Sequence, residues 1–311
     1  MKKRNDSIRL ASFAVSGEMV EGRGEDSKLI LISPERHVGR AVLAVFDGCG
    51  GLGARRYPSE GDASGAYIAS RLAAETLRGI AIGDEISPEL YEMALKTTFK
   101  REKARLDALN GELKFRSDMV KALPTTACVA TVEKSTCSVM WIGDSRLYTL
   151  DNGGLHILTS DDGLQNNGDD YISDSRLYGS VNAEDDFVFF SRQVSARLPR
   201  VWIVASDGFY ESFRTPMEME EFLLSSLMES ADSREWRENI RARVDECASD
   251  DYTAVFLISG YPSFQTLKKR LLLRAKHISK RVKELSLCEG EEFEELARGI
   301  WKDYRRAFIQ Y

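Results

Sequence analysis

The sequence predicts an α+β protein, with antiparallel strands and separate helices, on three observations. Apolar runs of strand length recur and end in carboxylate and glycine, as in Ala41-Val42-Leu43-Ala44-Val45-Phe46-Asp47-Gly48. Two pairs of such runs are separated by short polar turns, the pattern of a hairpin. Helical stretches open on capping signals; Ser87-Pro88-Glu89 places a capping hydroxyl before a proline at the first helical position.

Residues 8–50 read as strands with a turn at Ser33-Pro34. The segment 62–80 reads as a helix opened by Asp62 and closed near Gly79, and a second helix runs from Pro88 to about residue 110. Thr125 to Val132 and Cys137 to Ile142 pair as a hairpin through Glu133-Lys134-Ser135. Arg146 to Leu150 and Leu155 to Leu158 pair through Asp151-Asn152-Gly153-Gly154. Residues 160–176, rich in Asp, Asn, Gly and Ser, read as a loop or lid over the surface. Strands follow at 187–190 and 201–205, helices at 216–230 and 233–247, and a last strand at 252–258. Composition shifts after Gly260-Tyr261-Pro262. Residues 264–285 hold eight Lys/Arg, with Leu267, Leu271, Ile278, Val282 and Leu285 at helical spacing. After Glu289-Gly290-Glu291-Glu292, the residues Leu296, Ile300, Trp301, Tyr304 and Phe308 repeat that spacing. The chain therefore divides into residues 1–260 and a two-helix appendage, 261–311, with a homodimer through the appendage as one expectation.

The 311 residues carry 43% hydrophobic and 30% charged residues, ordinary for a globular protein. A net charge of -6 argues against nucleic-acid binding by bulk charge. No apolar stretch approaches the ~20 residues of a membrane span, and Ser12, Ser16 and Glu18 break the only run that could follow the basic N-terminus as a signal peptide. Five cysteines (49, 128, 137, 247 and 288), without zinc-finger spacing, predict reduced thiols in a cytoplasmic protein.

A carboxylate at the tip of a buried strand is costly unless a cation meets it. Asp47, Asp144 and Asp207 each follow an apolar run, while Glu25-Asp26 and Asp250-Asp251 precede one. Several such ends in one chain suggest convergence on a common point. Hard divalent cations take oxygen ligands. Asp47 could bridge two ions with the Gly48 carbonyl beside it, and Asp207 and Asp250 could complete one shell. Glu25 could serve the other, Asp26 could hold a water, and Asp144 could share a third ion with Asp207. Only three histidines occur (His37, His156 and His277), none near these motifs, which favours Mn2+ or Mg2+ over zinc.

The ordered motifs VFDGCGG (45–51), GDSR (143–146), ASDG (205–208) and DDYT (250–253) resemble the metal-dependent Ser/Thr phosphatases of the protein phosphatase 2C type, including bacterial members. Thr125-Thr126-Ala127, Leu158-Thr159-Ser160-Asp161-Asp162 and the small residues Ala63, Ser64 and Ala66 support the resemblance, which spans about residues 8–260. It implies a four-layer α/β/β/α sandwich of two antiparallel sheets with a two-metal centre between them. There a metal-bridging water would hydrolyse phosphoserine or phosphothreonine in a partner protein, such as a Ser/Thr kinase or its targets. By this resemblance the metal ligands are Glu25, Asp47, Gly48, Asp207 and Asp250, with Asp144 on a third ion and Asp26 holding water. Relatives carry a phosphate-binding arginine five residues before the position of Asp26. Glu21 stands there, so Arg23 and Arg55 become the expected phosphate ligands. Cys49 takes the place of a family histidine.

Two alternatives use the same residues. Cys49 to Arg55 fits the Cys-x5-Arg pattern of cysteine-dependent phosphatases, in which a thiolate attacks phosphorus. A catalytically inactive binding module on the same fold would have lost metal carboxylates, whereas every expected position is filled here.

Overall fold

The computed structural model describes residues 11–33, 39–83, 86–112, 121–133, 135–159, 179–287 and 290–309, by backbone alone at 286, 290–295, 297 and 298. The predicted lid at 160–176, most of the Thr159–Asp162 segment, Pro34, Lys134, Cys288 and Glu289 lie outside the described residues.

Two five-stranded sheets are present, and every strand pairing within them is antiparallel. The first runs in the order β1 (Ala11–Gly17), β12 (Tyr252–Ser259), β11 (Arg200–Ala205), β8 (Arg146–Asp151) and β9 (Gly154–Ile157). The second runs β10 (Phe190–Ser195), β7 (Thr136–Ile142), β6 (Ala127–Val132), β3 (Arg40–Phe46) and β2 (Ser27–Ser33). β3 and β12 are apolar nearly throughout because both of their faces are covered. Alternate residues divide between two cores. Leu43 and Val45 of β3 meet Trp202, Val204, Val255 and Leu257 between the sheets. Val42, Ala44 and Phe46 face outward onto α1 (Gly65–Ala81) and α2 (Pro88–Asn110) through Ala69, Ala73, Leu77, Leu95 and Phe99. The other sheet turns its outer face to α4 (Pro216–Glu229), α5 (Ser233–Cys247), α6 (Phe264–Ser286) and α7 (Gly290–Phe308). The result is the expected α/β/β/α sandwich. Each fully buried aliphatic or aromatic side chain contributes roughly 1.5–3 kcal/mol.

The two C-terminal helices complete one outer layer. Leu267, Leu271 and Ile278 of α6 are fully buried in the same cluster as Leu223, Leu224 and Leu227 of α4, and Tyr304 and Phe308 of α7 join them. Glu220, on α4, is fully buried and accepts both the Arg274 guanidinium and the Tyr304 hydroxyl, the latter at 2.8 Å. His156 Nδ1 lies against the Ala307 carbonyl, and Ile309 forms one parallel bridge to Ile157 at the edge of β9.

Two boundaries differ from the sequence reading. α1 is capped by Ser64, whose hydroxyl accepts the Tyr67 N–H, and not by Asp62. Asp62 instead sits at φ 65° beside Gly61 at φ 66°, in the tip of a two-residue ribbon of β4 (Arg56–Tyr57) and β5 (Ala63–Ser64). The strand expected at 187–190 begins pairing with β7 only at Phe190. Phe187 and Phe189 are turned instead into the core of the second sheet, where Phe189 meets Tyr91.

Candidate metal centre

The carboxylates meet where strands of the two sheets end side by side. β3 delivers Asp47, and the β7–β8 turn delivers Asp144. β11 runs into the short helix α3 (Asp207–Tyr210), whose first residue is Asp207. Oxygens of Asp47, Asp144 and Asp207 all lie within 4.8 Å of one another. Glu25 and Asp26 lead into β2, and Asp250 leads into β12.

Hydrogen bonds fix this end of the molecule. The Asp47 N–H donates to Thr126 Oγ1, while Thr125 Oγ1 and the Thr126 N–H donate to the Asp47 carbonyl. Asp251 accepts the N–H groups of Met19 and Glu25, both at 2.7 Å, and so ties the β1–β2 turn to β12. Ser64 donates to the Glu25 carboxylate and Ser70 to the Glu25 carbonyl. Ser206 donates to Asp26 Oδ2 at 2.7 Å. Close approach explains the glycines. A Cβ on Gly48 would lie 2.7 Å from the carbonyls of Glu25 and Ala66, and one on Gly50 would lie 2.2 Å from Glu25 Oε2. On Gly208 it would lie 2.1 Å from the Asp251 carbonyl.

The electrostatics are those of crowded anions. Burial, reinforced by Asp207 and Asp251, pushes Asp26 up to about 7 against the bonds from Ser206 and Thr253. Asp47 is pushed well above the usual carboxylate range by burial, by the charges of Asp26 and Asp207 and by a hydrogen bond shared with Asp207. Asp250 is raised by burial and by Asp207 and Asp251, and Glu25 by burial despite its bond from Ser64. Such a cluster needs positive charge to stay ionised. Its donors are oxygens throughout, the ligand set of a hard divalent cation, so the residues present fit Mn2+ or Mg2+.

The predicted phosphate ligands fare differently. Arg23 lies exposed in the β1–β2 turn. Arg55 is engaged elsewhere: it pairs with Asp107 at 2.9 Å, donates to the Gly111 carbonyl and stacks 4.7 Å from the Tyr57 ring. The Cys-x5-Arg alternative loses both parts with it. Burial and the surrounding carboxylates push the Cys49 thiol far up, the reverse of a nucleophilic thiolate, and its arginine is held by α2. The sequence reading gave no role to Ser64, Ser206, Thr126 or Asp251, although all four stood inside quoted motifs; hydroxyls and a carboxylate beside metal-type carboxylates are a usable signal for supporting partners.

Comparison with known proteins agrees with this fold. The structure resembles the catalytic domain of the Ser/Thr phosphatase PstP in complex with two manganese ions (18% identity, TM-score 0.59, 81% of this chain and 99% of that one). It also resembles PstP/Ppp of Mycobacterium tuberculosis (19%, 0.57, 81% and 98%) and Stp1 of Staphylococcus aureus (16%, 0.57, 80% and 95%). A search of curated proteins finds no significant match. A sequence profile described as protein phosphatase 2C matches residues 32–258, and the chain belongs to that family, a family of protein phosphatases.

Proposed function

We propose that the chain hydrolyses phosphoserine and phosphothreonine in proteins at a two-metal carboxylate centre. The observation that carries this reading is the convergence of Asp47, Asp144 and Asp207 oxygens within 4.8 Å in a member of this family. Glu25, Asp47, the Gly48 carbonyl, Asp207 and Asp250 would hold two Mn2+ or Mg2+ ions, and Asp144 would share a third; the likeness to a PstP domain carrying two manganese ions supports the ion count. When bound, the ions would activate the attacking water and offset charge on the phosphoryl oxygens. Asp26, with Oδ2 held by Ser206, is oriented to hold a water beside the ions. The threonines around the Asp47 backbone and the Asp251 clamp on the β1–β2 turn keep the ligands oriented. Cys49 stays a neutral thiol and does not attack.

The chemistry on this reading belongs to residues 1–260, and 261–311 supplies an outer helical layer. The substrates are phosphoproteins, a Ser/Thr kinase or its targets among them. A cytoplasmic location fits the free cysteines 49, 128, 137 and 247. No described helix is long and apolar enough to cross a membrane. A homodimer would form through the C-terminal helices, where Leu272 and Leu273 stay exposed on α6. The test is hydrolysis of a phosphothreonine peptide with Mn2+. Activity should vanish in excess EDTA and return with added metal; full activity in EDTA would overturn the reading.

A further inference from the structure

A phosphate monoester entering this cleft is an anion approaching carboxylates. Bound metal ions would meet part of its charge, but its outer oxygens would still need donors, and a guanidinium fork fits them best. Several nearby cations are already engaged. Arg55 is paired with Asp107. Arg71 donates to the carbonyls of Gly24 and Tyr67 and lies 3.4 Å from the Tyr67 ring centroid. Lys28 donates to the Ser16 hydroxyl at 2.6 Å. Arg146 lies 4.1 Å from the Tyr210 ring centroid.

Arg56 is placed differently. The β4–β5 ribbon pairs it directly with Ser64. Side chains directly opposed on an antiparallel pair share a face, and the Ser64 hydroxyl on that face donates to the Glu25 carboxylate. One guanidinium nitrogen donates to the Asp62 carbonyl at 2.8 Å, with the Asp62 carboxylate 3.9 Å away, and the side chain is still 45% exposed. Its base is anchored by buried Tyr57 and by the left-handed pair Gly61 and Asp62. Arg56 is thus a cation at the rim of the carboxylate cluster, held at its base, with donors facing solvent.

We infer that Arg56 binds the phosphate oxygens of the substrate, in the role the sequence assigns to Arg23 or Arg55. This rests on the phosphatase reading above. Its test uses the full chain loaded with Mn2+, comparing wild type with Arg56→Gln, Arg56→Ala and Arg56→Lys, and inorganic phosphate as the probe. Calorimetric Mn2+ binding should be unchanged in all of them. The inhibition constant of phosphate and the KM for para-nitrophenyl phosphate should rise about tenfold or more in the Gln and Ala variants, the loss of one charge-assisted contact. Lysine should recover only part, since it replaces a fork by a point charge. Gln can keep the bond to the Asp62 carbonyl, so it stands in if Ala fails to fold. Phosphate inhibition and KM within about twofold of wild type would overturn the assignment while leaving the phosphatase reading intact. A wild type without metal-dependent hydrolysis would instead overturn that reading. Direct titration of phosphate into the Mn2+-loaded proteins then decides Arg56: equal binding, or none by wild type, rejects it.

Discussion

Two regions bury carboxylates in opposite ways. Under the C-terminal helices, Glu220 is fully buried yet matched: Arg274 pairs with it and Tyr304 donates to it. Burial works against the Arg274 charge, but the Glu220 bonds outweigh it and hold the guanidinium above its ordinary value. At the strand ends the anions crowd one another. Asp26, Asp47 and Asp250 are all raised, first by burial and then by one another or by Asp207 and Asp251. A matched buried charge ties helices together; a cluster of crowded carboxylates is a site for cations. Substitutions should therefore have opposite consequences in the two regions.

The largest expected effect is on turnover. Asp207→Asn should lower metal-dependent kcat by at least about 100-fold, the scale of removing one preorganised charge contact. It should leave the melting temperature of metal-free protein unchanged or higher, because it removes repulsion. Melting in EDTA and steady-state rates in Mn2+ check both halves. A marked loss of metal-free stability would make Asp207 a structural residue of the Glu220 kind.

Glu220→Ala should do the reverse. It strands the buried Arg274 guanidinium and should cost about 3–5 kcal/mol of stability, measured by denaturant unfolding. The rate per folded molecule should hold near wild type. A loss of turnover without loss of stability would couple the C-terminal layer to the chemistry.

The sequence made these regions unequally legible. Strand-end carboxylates are local signals: an apolar run stops at Asp-Gly, and the motif order did the rest. The Glu220–Arg274–Tyr304 contact joins residues 54 and 84 positions apart, and nothing local in α4 marks Glu220 as buried. The tail's apolar stripe was visible, but what it packs against was a tertiary fact. Arg55 and Arg56 are neighbours in one polar stretch. Only the ribbon register, with side chains on alternate faces, separates an arginine tied to Asp107 from one beside Ser64. The cap of α1 was misplaced for a similar reason. Asp62 and Ser64 are both capping residues, and the left-handed turn at Gly61-Asp62 decided between them.

A smaller effect follows from Asp26. Its folded pKa of about 7 lies above the unfolded value near 3.8, so metal-free protein holds this proton more tightly than the unfolded chain. The stabilisation is complete below about pH 4 and is lost as pH rises to about 7, with a slope of up to about 1.4 kcal/mol per pH unit. In EDTA, wild type should lose stability relative to Asp26→Asn between pH 5 and 7. Parallel pH profiles for the two proteins would remove Asp26 from the crowded cluster.

Calorimetric titration of Mn2+ into metal-free protein, with melting followed alongside, tests the central claim most directly. The account predicts saturable binding of about two ions, weaker at pH 6 than at pH 8 because protons compete for the same carboxylates. It also predicts a melting temperature that climbs with free Mn2+, and loss of at least one ion in Asp47→Asn. Absence of saturable binding at either pH, with an unchanged melting temperature, would contradict it.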